Sequence, residues 1–214
     1  MPGWAIQEAG AALSLPSTGQ HMEGLQHLQK FVSNIAPLRE EEWTAFAAGW
    51  SPVAGKRKTL LTAAGETERY LYFVLEGVQR VFHIGEDRQE ATLVFTYPYS
   101  FGGVADSLLT QTPSSYFFET LTSSQLLRIS HQQLQQLMQA HTGIRDLVLR
   151  ATAFALKGVL ERQLELQCFS AEQKFRTLLK RSPHVLQIIP HKYLASYLGI
   201  DPTTFSKLLG SIRI

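Results

Sequence analysis

Residues 191–210 read HKYLASYLGIDPTTFSKLLG, the most informative stretch of the chain. Pro190 stands just before a first short helix, Gly199 is placed to end it in the left-handed conformation, and Asp201-Pro202 supplies an N-cap and first helical residue for a second. A helix-turn-helix needs a small residue where its helices approach, glycine at the tight turn, and apolar residues that lock the interhelical angle. Ala195, Gly199 and the set Leu194, Leu198, Ile200, Phe205 and Leu208 meet these needs in order. An ordinary pair of antiparallel helices would meet most of them too.

A helix-turn-helix places its second helix in the major groove and lays its first across the phosphate backbone. The side chains expected to point outward are Thr203, Thr204, Ser206 and Lys207. The lysine can donate to guanine acceptors or a phosphate, the hydroxyls can serve bases or phosphates, and the threonine methyls can touch thymine. His191, Lys192 and Tyr193 at the start of the first helix are the expected phosphate contacts, where backbone N–H groups assist. With no arginine at the outward positions, each contact discriminates only modestly.

Charge points the same way once the chain is divided. The 214 residues carry a net charge of +2, too little to indicate a polyanionic partner. Beyond residue 170, however, seven basic and two acidic residues make +5, while the first 170 carry −3. A small basic helical unit has nucleic acid as its natural partner, although a purely solvated basic face would carry the same charge. It opens at Ser170, which forms a capping box with Gln173 and starts a helix reaching about Lys180.

Upstream, residues 131–140 and 144–167 have helical periodicity. Ile144, Leu147, Val148, Ala151, Phe154, Ala155 and Val159 cover more than one face of the longer helix, which must therefore pack on two things. One is the preceding domain. The other is either the same helix of a second subunit, crossing at Ala151, Ala155 and Gly158, or another domain of the same monomer. Short β-branched and aromatic runs occupy 58–61, 70–75, 78–84, 91–97, 116–121 and 125–129, separated by turns at Ala64-Gly65, Glu76-Gly77, 85–87 and Pro98. Strands so spaced make a small sandwich or roll. Two short helices, divided at Pro37, are expected between residues 24 and 49.

Several classes of function are excluded. The single cysteine, Cys168, cannot build a disulfide framework, a four-cysteine zinc site or a cysteine-held iron–sulfur cluster, and it suits a reducing, cytoplasmic location. Residues 1–24 contain no lysine or arginine, which argues against a signal peptide; they read as a flexible leader, and Met22 as the start of the folded domain. The longest apolar stretch, 147–160, is broken by Arg150 and Lys157 and falls short of the roughly 20 residues needed to cross a bilayer. The seven histidines show no His-x-His or His-Glu-x-x-His spacing, and neither a Gly-x-Ser-x-Gly elbow nor a Walker loop occurs. No enzymatic activity, catalytic residue, metal site or cofactor is expected. His83 and Cys168 are the only visible candidates for a haem or thiol sensor, and both read as structural.

The segments YLYFVLEGVQRVF (70–82), SFGGVADSLLTQTPSSYFFETL (100–121), FSAEQKFRTLLKRSP (169–183) and IPHKYLASYLGIDPTTFSKLL (189–209) give the chain a resemblance to the Crp/Fnr family of bacterial transcription regulators over residues 25–214. The resemblance implies an α+β fold: an N-terminal double-stranded β-roll of the cyclic-nucleotide-binding type with flanking helices, a long dimerisation helix, and a C-terminal helix-turn-helix domain. The corresponding limits are 1–24 for the leader, 25–141 for the effector domain, 142–169 for the dimerisation helix and hinge, and 170–214 for the DNA-binding domain. It further implies a homodimer on a twofold-symmetric operator, with RNA polymerase as a further partner.

Within that resemblance the effector pocket departs from the family pattern. Phe101-Gly102-Gly103-Val104-Ala105 stands where the family has a Phe-Gly-Glu-Leu-Ala pattern, so Gly103 replaces the glutamate that would accept from the ribose. Ser114 replaces the arginine that would pair with the cyclic phosphate, removing a strong charge-assisted contact. The hydroxyls expected to close on the purine fall at Val159 and Leu160. These departures argue against cyclic AMP, while the Gly102-Gly103 backbone and Ser115 are placed to cradle a different anion. The pocket is expected either to hold another small-molecule effector or to be filled by side chains such as Tyr116 and Phe118. The chain also stops at Ser211-Ile212-Arg213-Ile214, where family members continue, so fewer phosphate contacts are expected. A competing reading is a ligand-sensing or protein-interaction module with a vestigial DNA-binding domain.

Overall fold

A computed structural model describes residues 18–211. Of the leader, residues 1–17 lie outside the described residues; the rest is already helical, because α1 spans Thr18–Ile35. Helix α2 (Glu40–Ala48) follows, and then eight strands: β1 (Ser51–Gly55), β2 (Leu60–Thr62), β3 (Tyr70–Glu76), β4 (Gln79–Ile84), β5 (Glu90–Thr96), β6 (Phe101–Gly102), β7 (Phe117–Thr120) and β8 (Ser124–Ser130). A short helix, α3 (Ala105–Thr110), lies between β6 and β7. The C-terminal part is helical: α4 (His131–Ala140), α5 (Thr142–Cys168), α6 (Ala171–Arg181), α7 (Val185–Ile188), α8 (His191–Leu198) and α9 (Pro202–Ser211).

The strands form two antiparallel four-stranded sheets, ordered β1-β8-β3-β6 and β2-β7-β4-β5. This is the expected α+β roll with its long helix and helical C-terminus. The pattern had not marked β1, β6, α3 or α7. β1 contains Pro52 and Gly55, β6 has two residues, and α7 has four, all too short or too poor in apolar residues for a periodic signal.

Strands β3 and β8 read as continuous apolar runs because both faces of their sheet are covered. Along β3, Tyr72 and Val74 point into the roll with Val53, Val81, Val104, Phe118 and Leu126. Phe73 points the other way, with Leu127 and Ile129 of β8, against Leu28, Val32, Phe46, Leu134, Ile144 and Leu147 from the helices. Burial of each large side chain here contributes roughly 1.5–3 kcal/mol. α5 begins in this layer. Further along, it buries only Arg162 and Glu165. At about 100° per residue these two lie on the same side as Ile144 and Leu147, while Leu149, Leu156, Leu160 and Leu164 fall on the opposite side and are exposed.

The helical C-terminal unit has its own core of Phe175, Leu178, Val185, Ile189, Leu194, Leu198 and Phe205, and this core continues into Val78 and Leu121 of the roll. The two units therefore share one apolar interface.

Candidate nucleic-acid interface

The C-terminal unit starts as the capping pattern requires. Ser170 Oγ accepts from Gln173 N–H at 3.3 Å, and Gln173 Oε1 accepts from Ser170 N–H at 2.8 Å. α8 ends at Gly199, whose φ of 61° and ψ of 40° are left-handed. A Cβ there would face backbone strain and stand 3.1 Å from Leu166 Cδ2 of α5, so glycine is required both for the turn and for the approach. Asp201 caps α9: its Oδ1 accepts from Thr204 N–H at 2.8 Å, and its Oδ2 from the Thr204 hydroxyl. The hydroxyl bond, then the backbone bond, hold the Asp201 carboxyl below its ordinary range. Phe205, fully buried, meets Phe175 edge-on at 5.3 Å between ring centroids and locks α9 onto α6.

The residues expected to read DNA divide into groups. Thr203 and Lys207 stand exposed on α9 with no side-chain partner among the described residues. Ser206 is exposed but donates to the Pro202 carbonyl of its own helix at 2.9 Å. Thr204 is half-buried, and its hydroxyl and N–H are both spent on Asp201, so it is a capping residue rather than a free outward group. On α8, His191 is exposed with its ring 5.4 Å from that of Phe205, and Lys192 is exposed with Nζ 4.6 Å from the centre of the Tyr193 ring.

Tyr193 is not where a phosphate contact should be. It is 5% exposed, its hydroxyl accepts from Lys58 Nζ at 2.7 Å, and the Arg80 guanidinium lies 4.1 Å from its ring centre. Burial pushes the phenol up, but the Lys58 and Lys192 ammonium groups outweigh it and draw the net value down. The face of α8 carrying Tyr193 is the one docked on the roll. Arg80, 1% exposed, donates to Glu119 at 2.7 Å and to Glu90 at 2.5 Å and stacks on Phe82. Lys58 also donates to Glu119 at 2.7 Å. Ser196 completes the contact: its Oγ donates to Glu90 O and accepts from Thr92 N–H, both at 2.9 Å. These are backbone groups of β5, an edge strand, so the helix supplies hydrogen bonds that the sheet lacks there.

No periodic pattern announced Lys58, Arg80, Glu90 or Glu119 as a docking network. The only visible signal was the basic triplet Lys56-Arg57-Lys58, which reads equally as a solvated turn.

The effector-pocket residues are placed less compactly than expected. Phe101 faces the outer helical layer, stacked on Trp50 and edge-on to Phe31 and Phe73, rather than the roll interior. Gly102 lies close to Phe118, and Gly103 has a φ of 119°. Ser114 is buried, and its hydroxyl both donates to Tyr116 O and accepts from Tyr116 N–H at 2.9 Å, closing its own loop. Ser115 is exposed, with its carbonyl 3.1 Å from His83 Nδ1. Val159 is 53% exposed on the part of α5 that has left the roll, so neither it nor its exposed neighbour Leu160 lines the pocket of its own chain. Sequence alignment without the third dimension cannot register where a long helix departs from the domain beneath it.

One residue of this region went unforeseen. Glu68 is buried and its carboxylate accepts from the Thr62 hydroxyl at 2.7 Å and from Val104 N–H at 3.1 Å, with Arg69 and Tyr70 N–H also directed at it. Burial raises its proton affinity against these hydrogen bonds. The backbone donor after Gly102-Gly103 is thus already satisfied by an internal carboxylate. The roll interior around it is occupied by Tyr72, Phe118, Val74 and Leu126, with Tyr116 packed beside them.

Among the described residues no cluster of three or more His, Cys, Asp or Glu side chains is placed to hold a metal ion, and no helix is long and apolar enough to cross a membrane.

Residues 53–141 match the cyclic nucleotide-binding domain family. The chain matches no curated protein sequence. Its fold is similar to that of FixK2 from Bradyrhizobium japonicum, at 15% identity and a TM-score of 0.68 over 75% of this chain and 83% of that one. It is similar also to CLP, described as the c-di-GMP responsive global regulator of Xanthomonas campestris, at 19% identity and a TM-score of 0.60 over 80% and 90% of the two chains. A protein of Eubacterium rectale assigned to the Crp/Fnr family of transcriptional regulators shares 14% identity and gives a TM-score of 0.63 over 81% and 82%.

Proposed function

The chain carries a cyclic nucleotide-binding domain at residues 53–141 and has the fold of the Crp/Fnr regulators, and from that premise we propose that it is a DNA-binding transcription regulator acting as a homodimer on a twofold-symmetric operator. The observation that carries the reading is α9. It is anchored through Phe205, positioned by the Gly199 turn and the Asp201 cap, and it presents Thr203, Ser206 and Lys207 to solvent. This is the way a recognition helix meets the major groove.

The dimer reading draws support from α5. A seam of Leu149, Leu156, Leu160 and Leu164, spaced seven, four and four, is exposed along the side facing away from its own chain. Exposed apolar residues at this spacing suit a parallel partner helix. The seam, rather than Ala151, Ala155 and Gly158 on the other side, is the contact this reading assigns.

Cyclic AMP is not the effector in this reading. Gly103 and Ser114 bring no charge to a phosphate or ribose, the Ser114 hydroxyl is spent within its loop, and Glu68 occupies the Val104 N–H. An anionic ligand would have to displace that carboxylate.

Fluorescence anisotropy with duplexes recovered by genome-wide selection, across a salt series, tests the function. Binding should weaken steeply with salt, and Lys207→Ala should weaken it and flatten the slope by roughly 0.9 per protomer. Absence of salt-sensitive binding, or binding indifferent to Lys207→Ala, overturns the reading. Saturable thermal stabilisation by micromolar cyclic AMP overturns the reading of the pocket.

A further inference from the structure

Glu68, in the connection between β2 and β3, is 1% exposed and pairs with no cation among the described residues. Both of its carboxylate oxygens are nevertheless filled. Oε2 accepts from the Thr62 hydroxyl at 2.7 Å and from Val104 N–H at 3.1 Å, and Oε1 from Arg69 N–H at 3.0 Å and Tyr70 N–H at 3.3 Å. Gly103, at a φ of 119°, carries the chain past the carboxylate, where a Cβ would crowd the Tyr70 carbonyl at 3.2 Å.

The backbone of Glu68 fastens the same loops. Its N–H donates to Ser107 Oγ at 3.0 Å, and that hydroxyl donates to the Thr112 carbonyl at 2.6 Å. Its carbonyl accepts from Gln111 Nε2 at 3.4 Å. Close by, Gly65 N–H donates to Ser114 O at 2.7 Å and Ser114 N–H to Glu66 O at 2.9 Å. Residues 62–70 and 103–114 are thereby closed on each other with the carboxylate between them.

A carboxylate taken out of water without a counter-charge is costly, and so are directed donors left without an acceptor. Each offsets the other only while the anion is seated. Donors converging from three segments of chain on one anion are the arrangement by which a protein holds a bound anion. Strand β2 has little ladder of its own to keep it in place: only Leu60 and Thr62 pair with β7, and the register shifts between them. We propose that Glu68 is the roll's built-in ligand, a carboxylate supplied by the chain itself that fills an anion site and closes residues 62–70 and 103–114 on each other, so that the pocket stands closed with no small molecule bound. The inference rests on the reading above in which cyclic AMP is not the effector, and deepens it.

The test removes the anion from the full-length protein and returns it from solution. Glu68→Ala vacates the site down to Cβ, and acetate has the atoms of the missing end of the side chain. In sodium chloride the variant should unfold roughly 5–10 °C below the unmodified protein, with faster amide hydrogen exchange over 62–70 and 103–114. Sodium acetate at equal ionic strength should reverse both changes by half or more, with a saturating dose dependence. The unmodified protein and Glu66→Ala, which removes an exposed carboxylate two residues away, should respond to acetate no more than to chloride. Glu68→Gln keeps the bulk without the charge; it should show faster exchange over the same segments and no response to acetate, because its amide fills the site. If Glu68→Ala does not fold in chloride, recovery of folded protein in acetate is the expected result. An equal response of Glu68→Ala to acetate and chloride, in stability or in folding yield, overturns the proposal, as does unchanged exchange in Glu68→Gln. Saturable stabilisation of the unmodified protein by cyclic AMP overturns instead the reading of the pocket on which this one rests.

Discussion

Lys58 and Tyr193, 135 residues apart in sequence, meet in a 2.7 Å hydrogen bond that joins the roll to α8. The phenol that the helical pattern would turn toward DNA is instead a tether. Tyr193→Phe should leave secondary structure unchanged and cost about 1 kcal/mol, since Lys58 keeps Glu119 as a partner. Thermal denaturation reads the loss, and faster hydrogen exchange confined to α8 and β5 would locate it at the interface.

Arg80 should matter far more. Its guanidinium is enclosed by Glu119, Glu90, Thr92 and the rings of Phe82 and Tyr193. Removing one partner of a buried pair strands the other charge, at a cost of roughly 3–5 kcal/mol. Arg80→Ala is therefore expected to lower the denaturant midpoint strongly, and Glu119→Gln less so, because a neutral amide still accepts a hydrogen bond.

On α5, Leu156→Asp with Leu160→Asp places charge in the exposed leucine seam without touching the chain's own core. Sedimentation should show a dimer for the unmodified protein and a monomer for the double variant, with little change in the roll's circular dichroism. A double variant that sediments as the unmodified protein does would remove the seam from the dimer interface.

Gly199→Ala should cost about 1–2 kcal/mol, since alanine resists the left-handed conformation at φ 61°. The Cβ would also crowd Leu166 of α5. Chemical denaturation measures the loss, and DNA affinity should fall with it, because the turn sets the angle at which α9 is presented.

Acid should loosen the layer of helices over β3 and β8. Glu42 takes hydrogen bonds from the Arg39 guanidinium, from Arg39 N–H and from Gly143 N–H at the start of α5, and the Arg39 guanidinium above all draws its carboxyl down to about 2. A carboxyl with a lowered value in the folded state stabilises the fold fully above the ordinary carboxylate range. Its contribution disappears as pH falls from there toward 2. Thermal stability followed from pH 6 to 2 should drop across that window, and Glu42→Gln should flatten the drop while lowering stability at neutral pH.

Much of the architecture was legible in residues alone. The aromatic and β-branched run at 70–75 announced a strand, Ser170 and Gln173 announced a helix start, and Gly199 with Asp201-Pro202 announced a turn between two helices. Each of these is a local matter of backbone preference, capping or period, decided within a few residues. The candidate site was legible only in part. Thr203, Ser206 and Lys207 are exposed on α9 as the helical period required, because α9 packs through one face on its own unit.

The remainder was decided by tertiary structure. Period shows which face of a helix is apolar but not what will cover it. Thus α8 could not announce that Tyr193 would meet Lys58 and Arg80, nor α5 that it would leave the roll and carry Val159 away from the pocket. The pairing of charges is still less local. Lys56, Arg57 and Lys58 are alike in sequence, and only the placement of Glu119 and Tyr193 occupies one of them while the other two stay exposed. Sequence by itself determined the longer elements and the caps that start and end them; the folded chain decided which faces and charges remained unsatisfied, because satisfaction depends on neighbours that only long-range packing brings within a few ångströms.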